Sequence, residues 1–150
     1  MNPSSFESVR FERQLYPIVI LRMPRRGSVD GVHAWYDEVE RILGAATGPI
    51  GLIHDVRPVE LLSMTAAHRS AVAERTTRLK SSPSIGRLVA DARIASNAIA
   101  AGAITAVSWL TGAVPWPQAT FTDEQAAIAW TRARIEEAEG GARGRSIGRG

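Results

Sequence analysis

The succession of hydrophobic periods constrains this chain more than any single motif. Short β-branched runs alternate with longer stretches of helical spacing, and elements in that order close a core as helices layered on a sheet. Residues 6–13, FESVRFER, place Phe6, Ser8 and Arg10 on one side and Glu7, Val9 and Phe11 on the other, the pattern of an edge strand with a solvated face. YPIVILRM, 16–23, is a denser strand reached through a short hairpin at Gln14-Leu15. PRRGS breaks it, and Ser28 is placed to cap a helix that turns Val32, Trp35 or Tyr36, Val39 and Leu43 inward. PIGLIHDV, 49–56, is a compact apolar run and predicts a strand covered on both faces.

A polar helix from Ser63 or Thr65 to Lys80 follows, with Ala67, Ala71 or Val72, and Leu79 as its few apolar positions. IGRLVADAR, 85–93, predicts another strand, and an alanine-rich helix runs from Ser96 or Asn97 to Leu110 or Thr111. Gln118 to Phe121 gives a short strand. Thr122 with Gln125 then forms a capping-box pattern that opens a last helix to about Glu137, with Ala126, Ile128 or Ala129, Trp130 and Ile135 inward. The expectation is one α/β domain over residues 1–138, in the order ββαβαβαβα, with about five strands in a mixed sheet and four helices.

The most apolar stretch, AAGAITAVSWLTGAVPWPQATF at 100–121, raises the question of a membrane segment. A spanning helix needs about 20 predominantly apolar residues. Here Gly102, Thr105, Ser108, Thr111 and Gly112 interrupt the run, which begins in Ser-Asn and ends at Gly and Pro. No membrane span is expected. The small residues Ala100, Ala101, Ala103 and Ala106 instead predict a core helix lying close on the sheet.

Charge narrows the partners. The chain carries a net +3, of which the segment from Glu139 onward supplies +2 through Arg143, Arg145 and Arg149. Residues 139–150, EGGARGRSIGRG, read as a basic Gly/Arg-rich disordered tail, and no specific nucleic-acid binding is expected from so few arginines. The first residues carry charge and no apolar h-region, so no secretory signal is expected, and a chain with no cysteine fits a reducing cytoplasm.

Candidate chemistry is sparse. The lack of cysteine excludes disulfides, thiolate metal sites and a cysteine nucleophile, and no P-loop, G-x-G-x-x-G or G-x-S-x-G occurs. His54-Asp55 closes the buried strand, where α/β folds collect functional groups, but neighbours in a strand point to opposite faces. Asp55 is expected to tie down the following loop by bonding its backbone N–H groups rather than to serve His54, and His54, Asp55, Arg57 and Trp116 are the candidate interaction or pocket residues. His33, His54 and His68 have no compact metal spacing, and neither metal nor cofactor is expected. Ser63 and Thr65 sit at a helix start, suited to capping or to a phosphate. Trp116 lies between Pro115 and Pro117 and cannot be helical; partly exposed, it closes over a pocket or anchors a partner, with a lid over the core as an equal reading.

The segment 93–135 resembles small, largely uncharacterised bacterial proteins of the SpoIIAA-like (STAS-type) family. The likeness rests on Trp109-Leu110 ending a small-residue helix, Pro115-Trp116-Pro117, the strand end Phe121, and Ala127 to Trp130 in the last helix, with LIHDVR as the buried strand ending in Asp. The resemblance implies the ββαβαβαβα fold and a non-enzymatic, cytoplasmic, regulatory protein-interaction module. In the family's anti-sigma-factor antagonists a Ser or Thr at the helix start is phosphorylated, which points to Ser63 and Thr65. Here HDVRPVELLSMTAAHR stands in place of the family's D-[ST]-[ST]-G pattern. The expected partner is a protein, with a homodimer as one form. The alternative is a carrier of a small, lipid-like apolar ligand lodged near Trp116, and an enzyme would need His54 and Asp55 to converge on a cleft.

Overall fold

Branched aliphatic side chains fill the central strands, and their pairing organises everything else. A computed structural model describes residues 8–110 and 112–147. Five strands form one mixed sheet in sequence order: β1 (Arg10–Glu12), β2 (Ile18–Arg22), β3 (Ile50–Asp55), β4 (Leu88–Ile94) and β5 (Gln118–Phe121). β1 is antiparallel to β2, and every later pair is parallel. The helices are α1 (Val29–Ala45), α2 (Ala66–Lys80), α3 (Ala98–Leu110) and α4 (Glu124–Ile147), so the α/β class and the ββαβαβαβα order are those the sequence predicts.

Alternation along the strands divides the core in two. Val19, Leu21 and Leu52 meet Tyr36, Val39, Ile42 and Leu43 of α1 and Leu79 of α2. Ile18, Ile20, Ile53, Ala92 and Ile94 turn the other way, onto Ala127, Ile128 and Ile135 of α4. The crossovers β2–β3, β3–β4 and β4–β5 carry α1, α2 and α3 over the first face, as right-handed connections between sequential parallel strands require. α4 has the second face to itself.

The helix starts follow local chemistry. Ser28 Oγ accepts from the Gly31 N–H at 2.9 Å. Thr65 Oγ1 accepts from the His68 N–H while His68 Nδ1 accepts from the Thr65 N–H, both at 3.2 Å, a reciprocal box with histidine in the usual Glu or Gln place. α4 is capped one residue later than its sequence pattern suggests: Asp123 Oδ2, not Thr122, accepts from the Ala126 N–H at 2.9 Å. α2 is as polar as expected but buries Arg75, whose guanidinium donates to Asp37 Oδ1 at 2.6 Å and to the His33 carbonyl at 3.0 Å. That contact joins α2 to α1.

Three expectations need correction. Over its described side chains, Ala98 to Thr105, the helix at 98–110 does not nest on the sheet: Ile99 is 87 % exposed, Ala98, Gly102, Ala103 and Thr105 are exposed, and α3 touches the sheet along β5, while the side chain of Ala106 lies outside the described residues. The close small-residue seat belongs to α4, where Gly51 and Ala92 let Ala127 and Thr131 approach β3 and β4. The last helix does not stop near Glu137 but runs to Ile147, so the expected disordered tail is helical through 139–147. Ala and Arg among those residues favour propagation from a turn already formed.

Phe6, Glu7 and Thr111, expected in the first strand and at the end of the alanine-rich helix, lie outside the described residues, as do Arg149 and the side chains of Trp109 and Leu110. Among the described residues no helix is long and apolar enough to cross a membrane.

Candidate functional site

His54 and Asp55 part company because consecutive strand residues face opposite sides of the sheet. Asp55 faces the α4 side. Its Oδ1 accepts from the backbone N–H of Arg57 at 3.2 Å and from Arg57 Nε at 2.8 Å, and its Oδ2 accepts from Arg22 Nη1 and Arg57 Nη2, each at 3.0 Å. Glu124 joins both arginines, and Glu12 accepts from Arg22 at 3.1 Å. Burial pushes the Asp55 carboxyl up, but the bonds from Arg57 and Arg22 outweigh it and leave it below the usual carboxylate range. Asp55 and Arg57 therefore lock the loop after β3 to β2 and to the start of α4.

His54 points into the space beneath α1, α2 and α3. Its partner is Asp91, contributed by the neighbouring strand β4: His54 Nδ1 lies 2.8 Å from Asp91 Oδ1. The other oxygen, Oδ2, accepts from Trp116 Nε1 at 3.2 Å and Gln118 Nε2 at 3.1 Å, with Arg93 Nη2 at 3.7 Å. Burial alone would push the Asp91 carboxyl up; the charge and hydrogen bond of His54, with Arg93 and Gln118, overcome it and hold the group down to about 2. An ionised Asp91 accepts only, so His54 Nδ1 donates to it and Nε2, across the ring, is left for another partner. Among the described residues Nε2 has no hydrogen-bond partner.

The space beside this pair is a cavity of about 370 Å³. Val32, Trp35 and Val39 of α1, Val72 and Leu79 of α2, and Leu52 and Leu88 of the sheet give it apolar walls. Ala103 and Ile104 of α3 and Val114 line it on the side of β5, and the loops after β2 and β3 line it through Met23, Val59, Leu61 and Met64. Deep in the wall, the Tyr36 hydroxyl pairs with Thr76 Oγ1 at 2.8 Å; burial pushes the phenol up to about 12, so it stays protonated. Trp35 sets its ring edge-on to His54, centroids 5.4 Å apart, and its buried Nε1 has no hydrogen-bond partner.

The sequence-predicted residues are thus distributed unevenly. His54 and Trp116 both touch the cavity, and Asp55 and Arg57 do not. Trp116 is 6 % exposed rather than partly open, because its indole N–H finds an acceptor in Asp91. Ser63 lines the rim and its hydroxyl donates to the Glu60 carbonyl at 2.6 Å, while the exposed Thr65 supplies the cap of α2. Asp91, Arg93, Gln118 and Tyr36 are the site residues that sequence reasoning missed. The available signal was Asp91 itself, a carboxylate between two alanines of a buried strand, which demands a partner.

With this geometry in view, the chain was compared with known proteins: no family model matches it and no curated protein matches its sequence.

Proposed function

We propose that this protein binds a small apolar molecule in the cavity between the sheet and α1, α2 and α3. One observation carries the reading: a space of about 370 Å³, walled by aliphatic and aromatic side chains and floored by a fixed His54–Asp91 pair, lies between the sheet and three helices. Ligand pockets have this make-up, apolar walls with a few convergent polar groups, and volumes from about 300 Å³ upward. As part of this proposal the chain is read as a SpoIIAA-like, cytoplasmic, non-enzymatic domain; the element order bears on the fold alone. The hydroxyls near the cavity have other tasks, since Ser28 caps α1 and Ser63 bonds the Glu60 carbonyl, and no bond-making step is assigned to His54.

The neutral fluorophore 1-aminoanthracene tests the reading. Saturable one-to-one binding is expected, with fluorescence enhancement. Val72→Trp, which fills the cavity from α2, is expected to weaken it by roughly tenfold or more while circular dichroism stays native. Absence of binding, or binding indifferent to the filled cavity, overturns the reading.

A second reading, a protein-contact module using the loop after Val56 and α2, is favoured by the turn at Leu61–Ser63, where Leu62 is fully exposed. An apolar side chain held on a rigid turn beside Arg25 and Arg26 suits a partner surface. Leu62→Asp is expected to abolish recovery of a defined partner from native host extract without changing thermal stability; undiminished recovery removes this reading.

A further inference from the structure

The cavity has a polar end, and its chemistry specifies the ligand more closely. Resting on the reading of the cavity as a binding site, we propose that the ligand is an amphiphilic monocarboxylate whose carboxyl group meets His54 and whose chain lies along the apolar walls. Two observations converge on this head group.

The first is an imbalance of donors and acceptors. Asp91 is saturated: His54, Trp116 and Gln118 donate to its two oxygens and Arg93 stands beside it. His54 Nε2, on the opposite side of the ring, has no partner among the described residues. A carboxyl group answers it. One of its oxygens shares a proton with Nε2, as acid to imidazole or carboxylate to imidazolium. Ionised Asp91 stabilises the imidazolium form from the other side of the ring, the same polarisation that orients histidine in acid–base pairs.

The second is charge. Among the described residues lining the cavity Asp91 is the one acid, against Arg93 on β4 and Arg69 on α2, with His54 and His68 as further sites for a proton. Tyr36, facing the same space from α1, adds no charge because burial holds its phenol protonated. The lining is therefore net positive, and a charge-assisted bond to an anion in low dielectric is about twice as strong as one between neutral groups. A cavity of about 370 Å³ lies at the small end of ligand pockets, and a ten-carbon chain serves as the probe.

Quenching of tryptophan fluorescence, with Trp35 and Trp116 both on the cavity, reads binding of decanoate, 1-decanol and methyl decanoate to the full chain at neutral pH. Decanoate is expected to bind about tenfold tighter than either neutral analogue, and His54→Asn is expected to bring the three within about threefold of one another. In the unmodified protein, the nitrogen-15 resonance of His54 Nε2 is expected to shift on adding decanoate and to move much less with the ester. That measurement decides the matter if the variant does not fold. Equal affinities for the three compounds, or an unmoved Nε2 resonance at saturation with decanoate, overturn the carboxylate while leaving apolar binding intact. Failure of all three to bind, together with failure of 1-aminoanthracene, removes the cavity reading and the carboxylate with it.

Discussion

Gly51→Ala is expected to destabilise the protein by about 1–3 kcal/mol, and Gly51→Val by more. A methyl group built at Gly51 stands 2.3 Å from Thr131 Cγ2 and 3.2 Å from Ile135 Cδ1. Neither neighbour has room to yield. Thr131 is fully buried and its hydroxyl donates to the Ala127 carbonyl at 2.8 Å, which pins its rotamer; Ile135 is packed against the strands. Relief requires moving α4 away from β3, which opens gaps along Ile53, Ala92 and Ala127. Urea unfolding measures the loss. Removing the obstructing methyl in Gly51→Ala/Thr131→Ser is expected to recover a large part of it, because the two sites touch and their effects are not additive. A neutral Gly51→Ala, or a double variant no better than the single, would show that α4 is not seated through this contact.

Asp91→Ala carries the second large effect, a loss of about 2–5 kcal/mol, as expected when an ionised acceptor shared by two buried donors is deleted. His54 and Trp116 would keep donors in a buried site with no acceptor, while the exposed Gln118 can turn to water. A domain of this size has about 5–15 kcal/mol of stability in total, so the variant is expected near the edge of folding. Asp91→Asn keeps an acceptor oxygen and is the gentler test. The native Asp91 carboxyl is held at about 2, below its ordinary value of 3.8. Its contribution is therefore fully present above pH ~4 and lost as pH falls through ~2, amounting to about 2 kcal/mol at roughly 1.4 kcal/mol per unit. Urea midpoints between pH 4 and pH 2 should fall more steeply for the natural protein than for Asp91→Asn. Parallel slopes would mean that Asp91 is not held ionised by His54.

The order of the elements could be read from the chain because each has a local cause. Ser28 and Thr65 begin helices through their own hydroxyls, and the unbroken apolar run of β3 is buried along its whole length. The opposed directions of His54 and Asp55 follow from strand pleating alone, and the tie from Asp55 to the Arg57 N–H follows from their spacing. The His54–Asp91 pair was hidden for the opposite reason. It joins residues 37 apart and depends on β3 and β4 running side by side in one particular register, which neither segment encodes by itself. Of the readings of Trp116, the lid over the core agrees with its place among the buried side chains and the partial exposure does not, since an indole between prolines becomes buried once its N–H has a carboxylate to meet. The small residues of α3 invited a close fit that α4 makes instead; Gly51 and Ala92 open that seat from two different strands, and no single helical stretch displays it.

The two sides of the sheet consequently answer to different demands. Where α4 lies, side chains meet at the limit of contact, and a single added methyl is felt throughout that layer. Across from it, the three crossover helices leave a cavity, and a wall side chain such as Val72, away from the buried Asp91, can change bulk without meeting a strand. A chain so divided can revise what it holds while its foundation stays as it is.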